Sequence, residues 1–140
     1  MATKPFEIIA HTADVAVLVR GRDLAELLVH AARALYAVVF ADLLVAAVVE
    51  RVLTVDSVDD AALVIDWLNE LIYLLDAEQT VFGDFEVMEL TAGHAVVRCR
   101  GEYLNAARHH RSREVKAATY HMARLRRIPS GYVSRVVFDI

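Results

Sequence analysis

Long apolar runs are missing from this chain although apolar residues are plentiful. They make up 57% of its 140 residues, yet no stretch free of Asp, Glu, Lys and Arg exceeds eight, as from Ala34 to Ala41. A membrane-spanning helix needs roughly 20 consecutive apolar residues, so no such span is expected. Cysteine is reduced to Cys99, which excludes an internal disulfide and a cysteine-based zinc site and suits a reducing cytoplasm. A small, buried, inert thiol is the expectation for it. The opening Met1-Ala2-Thr3-Lys4-Pro5 lacks the apolar region and cleavage signal of an export leader. Also missing are a glycine-rich phosphate loop, a Gly-x-Ser-x-Gly elbow and a His-Glu-x-x-His helix, so the common catalytic fingerprints are absent. Lysine occurs only as Lys4 and Lys116 in a chain that otherwise uses arginine.

What is there is strongly segregated charge. The net charge of −4 conceals ten acids and no Lys or Arg between Asp56 and Glu89, then nine bases and two acids between Arg98 and Arg127. Two readings follow: solvated faces that complement one another, or a docking surface for a charged partner. No linker, repeat or low-complexity tract divides the chain, so residues 1–140 are expected to form one domain.

Phe6 to Ala10 and Val15 to Arg20 read as strands around a tight polar loop, His11-Thr12-Ala13-Asp14. Asp23 with Glu26 resembles a capping box, and Leu24, Leu27, Leu28, Ala31, Leu35, Val38 and Val39 recur at helical spacing, predicting a helix from about Leu24 to Phe40. Val48 to Val55 is β-branched. The acids and serine of Asp56-Ser57-Val58-Asp59-Asp60 then offer caps to a second helix with the stripe Leu63, Trp67, Leu68, Leu71, Leu74 and Leu75. Its other stripe, Asp66, Asn69, Glu70 and Tyr73, reads as a wet face. Val81 to Leu90 and Ala95 to Arg100 form a hairpin about Thr91-Ala92-Gly93. In Val115 to Arg126, Lys116-Ala117-Ala118 favours helix and Thr119-Tyr120-His121 favours strand. The turn Pro129-Ser130-Gly131 and the β run Tyr132 to Ile140 make a second hairpin the economical reading. The order ββαβαββββ predicts an α/β (α+β) two-layer fold, two amphipathic helices on a largely antiparallel sheet. Glu102 to Arg113 is left as a basic loop, of a length that often carries function.

Few residues have the placement that chemistry needs. Adjacent His109 and His110 would point to opposite sides of a strand and make a poor ligand pair, so they read as surface loop histidines. His11 and Asp14 share a short loop at strand ends where polar side chains converge, although a loop aspartate commonly makes only a local turn hydrogen bond. At Val136-Val137-Phe138-Asp139-Ile140 the apolar residues imply a docked terminus. Asp139 and the Ile140 α-carboxylate would then be neighbouring anions that repel unless a cation or base sits between them. Such hard oxygen donors select Ca²⁺ or Mg²⁺ over zinc.

These residues resemble the archease family across essentially the whole chain. The likeness is carried by His11-Thr12-Ala13-Asp14, by Trp67-Leu68-Asn69-Glu70-Leu71 with Tyr73-Leu74, by Glu114-Val115-Lys116-Ala117 with Thr119-Tyr120-His121-Met122, and by Asp139-Ile140. The resemblance implies a two-layer α/β fold and a divalent-cation site, with Ca²⁺ expected, made by Asp14, Asp139 and Ile140. It implies a non-catalytic accessory role, promoting guanylylation and repeated turnover of an RtcB-type tRNA-splicing ligase, with tRNA engaged indirectly. His11, Lys116 and His121 lie in the matched motifs and are the candidates for partner binding or activation. One departure stands out: where the family commonly reads Arg-His-Glu-Leu-Gly-Thr, this chain has Arg108-His109-His110-Arg111-Ser112-Arg113. Two other classes compete. One is an RNA-binding module using the basic region 98–127, with Tyr103 and Tyr120 for stacking. The other is a metal-assisted hydrolase using His11 with the Asp14 and Asp139 carboxylates.

Overall fold

Alternation on a period of two sets Val15, Val17 and Val19 on one face of a strand. In a computed structural model of the protein, which describes residues 4–10 and 14–140, all three are fully buried. The elements run β1 (Phe6–Ala10), β2 (Asp14–Gly21), α1 (Leu24–Val39), β3 (Phe40–Ala41), β4 (Val49–Asp56), α2 (Asp60–Glu78), β5 (Thr80–Thr91), β6 (His94–Tyr103), β7 (His110–Arg111), β8 (Ala117–Ile128) and β9 (Gly131–Asp139). This is the expected order with two short strands added: β3 and β7 pair only with each other and lie beyond any sequence periodicity. Asp14 opens β2 instead of closing a loop. His11 lies outside the described residues.

Two antiparallel sheets result, β1-β2-β9-β8 and β4-β6-β5. The fold is two-layer α+β, with both helices packed on the largely antiparallel sheet structure. The helices begin where the sequence places caps. Asp23 accepts the Glu26 N–H at 2.8 Å, and Asp59 accepts that of Ala62 at 2.8 Å. Glu26 reaches back to the Arg22 N–H at 2.9 Å, one residue earlier than in the standard box. Helix α2 ends at Gln79 in the left-handed region, φ 52°.

Trp67 joins the helices. Fully buried, it donates its indole N–H to the Leu28 carbonyl at 2.9 Å and meets Phe85 edge-on at 5.9 Å, an aromatic contact worth about 0.5–1.5 kcal/mol beyond area burial. Among the described residues no helix is long and apolar enough to cross a membrane. Cys99 is buried in the core and burial pushes its thiol up to about 12, so it is inert. The opposed charge blocks complement one another in part: Arg98 pairs with Glu86 at 2.8 Å, Arg100 with Asp84 at 3.5 Å and Arg111 with Asp76 at 3.2 Å.

Candidate functional site

The register of β2, β9 and β8 builds the site. Asp14 stands directly opposite Asp139, and Asp139 opposite Ala117, so both carboxylates rise from one row of the sheet. Their neighbours Val15, Phe138 and Ala118 are buried beneath them. The two aspartates therefore occupy the opposite face, away from the core. Opposed strand residues have Cβ atoms about 4.5–5.5 Å apart, and like charges so placed repel. Neither carboxylate forms an ion pair among the described residues. Lys116 reaches the same edge through its backbone, donating its N–H to the Asp139 carbonyl at 2.8 Å. Its side chain is exposed and makes no ion pair with Glu114 or any other described residue.

Helix α2 backs this edge. Asn69 donates from Nδ2 to the Ala118 carbonyl and accepts the Ala118 N–H at Oδ1, each at 2.9 Å. One turn earlier, Asp66 accepts the Tyr120 hydroxyl and, at 2.5 Å, the Ser57 hydroxyl. The stripe expected to be wet is thus half engaged: Tyr73 is exposed, but Asp66 and Asn69 clamp β8. Between the pairs Thr119–Val137 and Arg124–Arg135, the four residues Tyr120 to Ala123 stand opposite the single Val136. This wide bulge carries exposed His121, whose N–H is donated to the Thr119 hydroxyl at 2.8 Å. The Asp66 carboxylate at its hydroxyl raises Tyr120 above the usual phenol range, so Tyr120 is held as a protonated donor and not as a nucleophile.

The region read as a basic surface loop is built differently. Glu102 belongs to β6 and is buried; its carboxylate accepts the Ala46 N–H at 2.5 Å and both Arg108 guanidinium nitrogens at 2.5 and 3.0 Å. These donors, the Ala46 amide foremost, hold Glu102 down to about 2. His109 is buried, correcting its reading as a surface residue. Its Nδ1 accepts the Asn105 N–H at 2.9 Å, which leaves Nε2 facing the Glu102 carboxylate at 3.3 Å. His110 is exposed, in β7. A 610 Å³ cleft lined by Tyr36, Phe40, Leu43, Val45, Phe82 and Phe85 includes none of the predicted site residues that are described.

The fold and this edge define a small α+β domain whose polar groups gather at strand ends on an open sheet face, with β8 held from behind by α2. The model of the archease protein family (MTH1598/TM1083) matches residues 6–140. Protein archease of Methanosarcina mazei is 32% identical, with 98% of this chain and 97% of that protein aligned. Protein archease of Pyrococcus furiosus is 35% identical over 98% of this chain and 99% of its own length. The solution structure of Methanobacterium thermoautotrophicum protein 1598 superposes with a TM-score of 0.80 at 32% identity, covering 99% of this chain and all of the other. The crystal structure of an archease from Thermotoga maritima, at 22% identity, shares the fold with a TM-score of 0.64 over 100% and 98% of the two chains. The chain belongs to the archease family, known generally as activators of RtcB-type RNA ligases and typically non-catalytic.

Proposed function

We propose that this chain activates an RtcB-type RNA ligase, promoting its guanylylation and multiple turnover, and that Asp14, Asp139 and the Ile140 carboxylate hold a divalent cation at the sheet edge. The observation that carries the role is the family match across residues 6–140, which takes in both aspartates and Ile140. The geometry supports the cation. Two carboxylates face each other across β2 and β9 without a described counter-charge, and hard oxygen donors of this kind suit Ca²⁺ or Mg²⁺. Among the described residues no three His, Cys, Asp or Glu side chains converge, so the reading rests on the aspartate pair completed by the Ile140 carboxylate. A bound cation would supply the positive charge that lets both carboxylates remain ionised side by side.

An activator speeds a partner's step only by binding the reactive arrangement more tightly than the resting one. Asp14, Asp139, exposed Lys116 and exposed His121 offer such a contact surface, with His11 as a further candidate; β8 is tied to α2 behind them. The test joins calorimetry with Ca²⁺ to a ligase guanylylation assay on folded Asp14→Ala and Asp139→Ala proteins. Both variants should lose cation affinity and stimulation. Unchanged Ca²⁺ affinity in Asp14→Ala would remove the metal site, and full stimulation by both variants would remove the edge from the activating surface.

A further inference from the structure

The open face of the β1-β2-β9-β8 sheet is electrically polar along its strands. Asp14 and Asp139 mark one end. One row of small and apolar side chains follows, with Ile9, Ala16, Val137 and Thr119 side by side in the register and Ala16 and Val137 buried. Beyond it Arg135 stands between Leu18 and Arg124, and in the next row of that face Arg126, Val133 and Arg20 align. From Asp14 to Arg20 is six residues, about 20 Å along a strand.

At this end the surroundings add to the positive charge. The β8–β9 turn lies beside the start of α1, where a cleft of about 370 Å³ is lined by Lys4, Arg20, Arg22 and His30 together with Ser130 and Tyr132. The carboxylates nearby neutralise two of these cations, Glu7 pairing with Arg20 at 3.4 Å and Glu26, which also lines the cleft, with Arg22 at 2.8 Å, while Asp23 caps α1; Lys4 makes no ion pair among the described residues. Exposed Arg124, Arg126 and Arg127 make no ion pair among the described residues. This separates them from Arg98, Arg100, Arg108 and Arg111 of the same sequence block, which are spent on Glu86, Glu50, Glu102 and Asp76.

We propose that the arginine end of this open sheet face, Arg124 and Arg126 beside the cleft that Lys4 lines, docks the phosphate backbone of a base-paired nucleic acid. Charge complementarity selects a polyanion, and guanidinium forks match phosphate oxygens in paired hydrogen bonds. The side chains of the face select the form of the nucleic acid. Single strands are gripped by exposed aromatic side chains on which bases stack; the described residues of this face offer Ile9, Leu18, Val133 and Val137, and the ring that lines the adjoining cleft, Tyr132, is half-buried. A duplex presents phosphates on its outside and needs no stacking platform, so binding is independent of sequence. The acidic end sets the orientation, because it repels the same backbone. This docking does not depend on ligase activation.

The test is fluorescence anisotropy with a labelled RNA hairpin, a DNA duplex of equal length and a single-stranded oligonucleotide. The proteins are wild type, Arg124→Glu/Arg126→Glu and the milder Arg124→Gln/Arg126→Gln. If three phosphates are engaged, wild-type affinity for either duplex falls about 40-fold between about 50 and 200 mM salt, and removing two contacts reduces that dependence to about 3- to 4-fold. The single strand should bind more weakly than both duplexes. Circular dichroism checks the fold; if the reversal variant is unfolded, the glutamine pair decides. Duplex affinity and salt dependence unchanged in the folded variant would overturn the proposal, as would no duplex binding at low salt. Equal competition by polyglutamate would overturn it in favour of an acidic protein partner.

Discussion

Removing the Asn69 side chain isolates the contribution of α2 to the sheet edge. Asn69 is the only bridge from this turn of the helix to Ala118 among the described residues, and it satisfies both backbone groups of that residue at 2.9 Å. Ala118 is 3% exposed, so water does not readily replace the lost partner. An intact hydrogen bond contributes about 0.5–1.5 kcal/mol, whereas stranding a buried backbone group costs about 1–3 kcal/mol. With two groups stranded and some relaxation, Asn69→Ala should destabilise the protein by about 2–4 kcal/mol. Unfolding entropy near 2.1 cal/mol/K per residue amounts to about 0.3 kcal/mol/K for 140 residues, so Tm should fall by about 7–14 °C. Thermal and urea unfolding followed by circular dichroism measure this directly. Asn69→Asp keeps the acceptor for the Ala118 N–H but loses the donor, and should show that half of the pair is not enough. A Tm within about 2 °C of wild type for Asn69→Ala would refute the clamp and leave β8 positioned by β9 and the Asp66–Tyr120 hydrogen bond.

Glu102 lies near 2 when folded against an ordinary 4.5, so its stabilisation is fully present above the ordinary value and is lost as pH falls toward about 2. Glu102→Gln should flatten acid unfolding across that window, and superposable acid-unfolding curves would contradict it. Gly101→Ala would place a Cβ 1.9 Å from the Val81 carbonyl oxygen and 2.7 Å from the Phe82 Cα. Both neighbours are strand backbone, so the loss should exceed about 4 kcal/mol, and a soluble protein with wild-type Tm would rule it out. Lys116→Ala should leave Tm within about 3 °C, since even a formed surface pair contributes only about 0–1 kcal/mol, while ligase stimulation falls. A strongly lowered Tm with normal stimulation by the folded fraction would make Lys116 structural instead.

The elements legible in the sequence are those whose signal is local. Asp23 and Asp59 cap helices because short acidic side chains reach N–H groups three residues on, and that spacing is visible in the chain. The hairpin at Ala92-Gly93 is similarly local, with Gly93 at φ 69°. The paired strands β3 and β7 are two residues each, too short for any period, and are joined across some 70 residues of chain. His109 was illegible for a related reason. Polar neighbours mark a loop, but the buried carboxylate that gathers this one projects from β6, and Ala46, whose N–H that carboxylate accepts, lies far back in the chain. The start of the bulge at Tyr120 is held by Asp66, and Ala118 just before it by Asn69, about 50 residues earlier.

The aspartate edge shows why that long-range backing matters. The end of a strand frays unless neighbouring backbone and side chains hold it, yet a pair of opposed carboxylates must stay exposed to meet a cation or a partner. Here alternation satisfies both demands: Phe138 is fully buried while Asp139, the next residue, is exposed. The strand is held on one side by the β2 register and on the other by the Lys116 N–H at the Asp139 carbonyl. Lys116 is itself followed by Ala117 and then by Ala118, the residue that Asn69 clamps. A connected path therefore runs from the Asn69 side chain in the middle of α2, through the backbone of Ala118, Ala117 and Lys116, to the Asp139 carbonyl, with the Asp139 carboxylate left out of it. Disturbing α2 should move the edge, whereas replacing the Asp139 carboxylate should leave α2 and the fold untouched.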